Sequence, residues 1–96
     1  MNIGGFMNFE ITDRAKEKLL LMKEQNLPIT IMRYPAGLLG VKYIIVPAKQ
    51  TENDKLYSVD GFDIIVNKDC EFENKTVKID YGGLVLKDFI VTPKVS

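Results

Sequence analysis

Helical periodicity appears in only one stretch of this chain, and all that follows it comes in short β-like runs broken by turn residues. The stretch is DRAKEKLLLMKEQN, residues 13–26, rich in strong helix formers. Thr12 or Asp13 suits the N-cap, because a side-chain oxygen there accepts a free backbone N–H. Ala15, Leu19 and Met22 fall on one face with Leu20 beside them, whereas Lys16, Glu17, Lys23 and Glu24 face mainly solvent. Asn26 and Pro28 end the helix, since Pro28 disfavours a helical residue before it. A helix with one apolar face has to dock on something, and only sheet is left to receive it.

The strand-like runs are ITIMRY (29–34), VKYIIV (41–46), LYSV (56–59), FDIIV (62–66), TVKIDY (76–81) and LVLKDFIV (84–91), with Phe9–Ile11 extended before the helix. Phe62, Ile64 and Val66 share a face, as do Val77 and Ile79. Asp60-Gly61 reads as a turn and Gly82-Gly83 as a hairpin turn. Connections this short favour antiparallel or mixed pairing over repeated βαβ units. The expected fold is therefore α+β and mainly β, with one N-terminal amphipathic helix packed on a sheet of about six or seven short strands. Its 96 residues allow one domain, with residues 1–8 expected flexible, Met7 a candidate alternative start, and 94–96 a tail after Pro93.

Absences narrow the chemistry. There is no histidine, so the commonest general base and metal ligand is missing, and neither a Ser-His nor a Cys-His pair can form. The expectation is a protein that is not an enzyme. Thirteen basic and thirteen acidic residues cancel, which leaves no field to attract nucleic acid or an anionic membrane. No apolar run is long enough to span a bilayer, and the N-terminus lacks the pattern of a signal peptide. A single cysteine, Cys70, cannot form an intramolecular disulfide, which suits a reducing cytoplasm. Asp69 and Glu71 beside it disfavour a thiolate, and these two with Asp60, Asp63, Glu73 and Asp80 read as solvated surface.

The candidate site is the short loop Gly37-Leu38-Leu39-Gly40 with Tyr43 beyond it. A phosphate loop would need a Lys-Ser/Thr pair and a following helix, and a nucleic-acid-clamping GxxG sits between helices. Here strands flank the loop. Two readings remain for its leucines: a tight turn tucked into the core, or an exposed apolar contact surface.

In order, Ile11-Thr12-Asp13-Arg14-Ala15, Ala36-Gly37-Leu38-Leu39-Gly40-Val41-Lys42-Tyr43, Asp60-Gly61-Phe62-Asp63-Ile64-Ile65-Val66, Ile79-Asp80-Tyr81 and the pair Phe89 and Pro93 resemble the motifs of the HesB/IscA-like family, the A-type iron–sulfur cluster carriers. The resemblance spans about residues 9–93 and implies that family's small β-rich fold, often dimeric or larger. The family holds its cluster with one cysteine in the glycine loop and two in a C-terminal Cys-Gly-Cys. Leu38 stands at the first position, and Ser96 is three residues past Pro93. The resemblance therefore implies a kept scaffold, no cofactor, and a contact role through Gly37, Leu38, Leu39, Gly40 and Tyr43, with a homodimer or another protein as partner. The alternative is a small-molecule or iron-binding protein using carboxylates and tyrosine.

Overall fold

A computed structural model describes residues 7–95. Met1–Phe6 and Ser96, on which part of the expected flexible start and part of the expected tail fall, lie outside the described residues. The chain runs β1 (Met7–Ile11), α1 (Asp13–Glu24), β2 (Ile29–Pro35), a single 3-10 turn (Gly37–Leu39), β3 (Val41–Val46), β4 (Lys55–Val59), β5 (Phe62–Val66), β6 (Lys75–Gly82) and β7 (Asp88–Val95). The described strands form one sheet in the order β1-β6-β7-β3-β2-β5-β4. The class is α+β and mainly β, as the sequence predicts. No helix among the described residues is long and apolar enough to cross a membrane.

The pairing is mixed. β1 runs parallel to β6, with Phe9 opposite Val77, and β2 runs parallel to β5, with Thr30 opposite Ile65. The β2–β3, β4–β5, β6–β7 and β3–β7 pairs are antiparallel. The β3–β7 joint has one registered pair, Tyr43 opposite Val91. Asp60 and Gly61 both take positive φ, 51° and 84°, closing the β4–β5 hairpin with the turn that their sequence announces.

Thr12 is the N-cap: its Oγ1 accepts the Ala15 N–H at 3.2 Å and donates to Asp80 Oδ1 at 2.7 Å. Thr12 N–H also donates to Ile79 O at 3.0 Å, so the helix start is fixed to β6. Further along the helix, Lys23 Nζ donates to Gly61 O at 2.8 Å and Lys16 pairs with Asp60 at 3.6 Å, both on the β4–β5 turn. Between these ties, Ala15 and Leu19 are fully buried in one core with Ile31, Ile64, Val77 and Ile79.

Three expectations change. Leu20 is 46% exposed, because Ala15, Leu19 and Met22 already fill the face that meets the sheet. The helix end itself is as expected: α1 runs to Glu24, and Asn26 turns the chain with φ 58°. The last strand starts at Asp88 and not at Leu84: Gly82 pairs with Asp88 inside the ladder, so the connection is Gly83–Lys87. Gly83, at φ 142°, passes so near Leu86 O that a Cβ would collide with it. Finally, β7 continues past Pro93 to Val95 and β1 includes Met7 and Asn8, so these residues belong to the sheet.

Leu19→Ala should cost about 2–5 kcal/mol in urea unfolding, because it opens a cavity between helix and sheet. Leu20→Ala should cost about 1 kcal/mol or less. Asp80 adds an acid dependence. The Thr12 hydroxyl first, then the Tyr81 N–H and Arg14, hold its carboxyl below the usual value. Its contribution is full above the unfolded pKa and is lost as pH falls through the lower folded one. Asp80→Asn should therefore flatten the loss of stability on acidification, measured by urea midpoints from neutral to acid pH.

Candidate functional site

The Gly37–Gly40 loop is a closed backbone unit. Ala36 N–H donates to Gly40 O at 2.8 Å, Leu39 N–H to Ala36 O at 3.1 Å, and Gly40 N–H to Gly37 O at 3.1 Å. Gly37 and Gly40 take φ of 61° and 88°, the left-handed region that glycine enters without steric cost. With these backbone bonds made internally, the turn stands off the sheet and holds Leu38 and Leu39 in solvent, at 107% and 90% exposure. The tucked-in reading of these leucines is thereby excluded. Tyr43 is not part of this tip: its ring lies edge-on to Phe72 at 4.9 Å, packed against the core.

A second apolar tip escaped the sequence reading. Leu84, Val85 and Leu86 lie in the β6–β7 connection and are exposed. Their apolar run before Asp88 resembled a returning strand, and only the Gly82–Asp88 register shows otherwise. β3 and β6 both run antiparallel to β7, so they point the same way. One tip precedes β3 and the other follows β6, which places them at opposite ends of the sheet.

The described residues also form a cleft of about 560 Å³, which the sequence did not announce. Met7, Lys55 and Lys75 from the starts of β1, β4 and β6 line it, with Val66 from the end of β5, Tyr57, and the 67–73 connection. Asp54 holds its wall together. Oδ2 accepts from Thr51 N at 2.9 Å and Thr51 Oγ1 at 2.8 Å, and Oδ1 accepts from Asn67 Nδ2 at 3.2 Å and Lys68 N at 3.1 Å. These donors, the Thr51 N–H foremost, hold the Asp54 carboxyl below its usual value.

Cys70 lines the same cleft, and its Sγ donates to Ile31 O at 3.6 Å. Burial, and then the Asp69 charge, push its thiol up to about 11. The flanking acids indicated the direction, but the larger cause is desolvation, invisible until β2 is placed behind it. Among the described residues, no group of three or more His, Cys, Asp or Glu is arranged to hold a metal ion.

Because the thiolate is the nucleophile, alkylation of Cys70 by iodoacetamide should be slow at pH 8. The rate should climb about tenfold per pH unit toward pH 11. Mass spectrometry of the alkylated chain follows it, and a plateau already at neutral pH would contradict the buried thiol.

Comparison with known proteins adds the fold relation. No family model matches the sequence, and no curated protein matches it. The fold is similar to that of a crystal structure of IscA with its 2Fe-2S cluster, with a TM-score of 0.53 and 16% identity, over 88% of this chain and 84% of that one. At that identity the likeness is one of architecture: the chain has an IscA-like fold.

Proposed function

We propose that this chain is a non-catalytic protein allied to iron–sulfur cluster assembly, acting by protein contact and holding no cluster itself. The observation that carries this reading is the exposed leucine pair. Where the family resemblance expects a cysteine, a rigid glycine-framed turn presents Leu38 to solvent. Clusters are held chiefly by Cys thiolates, which supply soft, negatively charged donors. The 96 residues contain one thiol, and it is half-buried, protonated and engaged with Ile31 O. These residues do not fit a cluster. The alternative of iron held by Tyr43 and carboxylates is weaker still, since Tyr43 packs on Phe72 and no carboxylate group gathers around it in a ligating set among the described residues.

Two exposed leucines fixed by a closed turn suit a contact with a second copy of the chain, in a homodimer, or with a partner protein. Each leucine buried there contributes about 1.5–3 kcal/mol. A stable interface buries about 800 Å² per partner, so the pair anchors a wider contact and does not constitute it.

Leu38→Asp and Leu39→Asp should leave the urea midpoint close to wild type, because both side chains are exposed. In sedimentation velocity both should shift the chain toward monomer or abolish partner binding. If neither changes assembly or partner binding, the loop has no contact role. Anaerobic reconstitution with iron and sulfide should produce no visible chromophore; a chromophore that disappears in Cys70→Ser would sink the non-ligating reading.

A further inference from the structure

The second apolar tip and the cleft sit at opposite ends of the chain. β1 is parallel to β6, β6 and β3 both oppose β7, and β3 and β4 both oppose the parallel pair β2 and β5. β1, β3, β4 and β6 therefore all run the same way. The cleft lies where β1, β4 and β6 begin, at Met7, Lys55 and Lys75. Leu84-Val85-Leu86 lie beyond the far end of β6.

The tip is held in shape from below. Gly83 passes close against Leu86 O, and Tyr81 Oη donates to Lys87 O at 3.5 Å. Tyr81 and Phe89 form an edge-to-face pair at 5.2 Å at its base. Above that base, three consecutive apolar side chains stand exposed. A convex tip fixed in this way loses little freedom when it is covered.

The cleft is concave and its depth is apolar. Phe9 and Tyr57 meet at 5.7 Å, so side chains fill the seam between the unpaired outer strands β1 and β4. Toward the strand starts the space of about 560 Å³ opens. Its most deeply buried lining residues are Val66 and Phe72, with Met7, Tyr57 and the protonated Cys70 partly buried beside them. The charges around its mouth balance: Lys55, Lys68, Lys75 and the neighbouring Arg33 against Asp54, Asp69, Glu71 and Glu73. A balanced mouth over an apolar floor selects neither an anion nor a cation, but an uncharged apolar group. Clefts of about 300–1,000 Å³ take groups with the bulk of two leucines and a valine. Lys87 and Asp88 beside the tip also cancel, and the whole chain is neutral, so no net charge keeps copies apart.

We propose that the Leu84–Leu86 tip of one copy seats in the cleft of a second, giving a head-to-tail association of this chain. Each seated pair leaves a free tip at one end and a free cleft at the other, so further copies add in line unless they close into a ring. The contact is smaller than the roughly 800 Å² per partner of a stable interface, which makes the association weak and concentration-dependent. It does not use Leu38 or Leu39, so it can fail while the loop reading stands, and the reverse.

Sedimentation velocity from about 10 μM to 1 mM, the range of weak contacts, should show wild type growing past the dimer. Val85→Asp should weaken assembly at least about tenfold, because it carries a charge into the cleft, with unchanged circular dichroism since Val85 is exposed. The isotope-labelled Val85→Asp chain keeps a free cleft. Titrated with unlabelled wild type, its amide signals should shift around Tyr57, Cys70 and Lys75. An unlabelled Leu38→Asp titrant should give the same shifts, whether or not it loses the loop's own contact. The proposal is overturned if wild type stays monomeric throughout, whatever vesicles or other proteins it binds, or if growth stops at a dimer. It is equally overturned if Val85→Asp assembles like wild type, if the shifts fall outside the cleft, or if they vanish with the Leu38→Asp titrant.

Discussion

Helix α1 is the clasp on which the rest of the structure depends. The sheet divides into two parts, β1-β6-β7 and β3-β2-β5-β4, and the ladder between them has a single registered pair, Tyr43 with Val91. Backbone hydrogen bonding across that joint is too sparse to set the curvature. The helix spans it instead. Its N-terminus is tied to β6 through Thr12, Asp80 and Ile79, and its later turns to the β4–β5 turn through Lys16 and Lys23. Leu19 and Ala15 fill the space between with core from both parts. Surface ties of this kind are individually weak, so the stabilisation across the joint comes mainly from the apolar core that both parts share with Ala15 and Leu19.

That clasp dictates where chemistry-bearing and apolar groups end up. Curling the sheet around one helix brings β1 and β4 toward each other without pairing them, which creates the seam and the cleft at its mouth. It also places the 67–73 connection over the end of β5, where Cys70 is desolvated and Phe72 reaches the ring of Tyr43. The loops that do not face the clasp, Gly37–Gly40 and Gly83–Lys87, are left with their apolar side chains in water.

Much of this was legible in the residues, and the exceptions share a cause. The helix, the Thr12 cap, β3, β5 and the Asp60-Gly61 turn follow from local rules: periodicity, a capping oxygen, β-branched runs and a dipeptide that accepts positive φ. The inward faces of β5 and β6 were equally plain. Leu20 misled because a helix face is apolar by pattern but buried only as far as its sheet extends. Leu84–Leu86 misled because two adjacent glycines look like a two-residue turn until the register claims Gly82 for the strand. The cleft left no trace in the sequence, since its lining comes from residues 7, 53–57 and 66–75, which are distant in the chain.

By itself, then, the sequence determined what local sterics and solvation decide: one helix, short strands, a glycine-framed turn at Leu38, no histidine chemistry and one thiol flanked by acids. Tertiary structure alone decided the parallel pairings β1–β6 and β2–β5, the unpaired β1–β4 seam, the burial of Cys70, and whether the leucines face core or water. Those outcomes depend on which distant segments meet. That is set by how one apolar helix face and one sheet face can be covered at once, a condition on the whole chain that no short stretch of it contains.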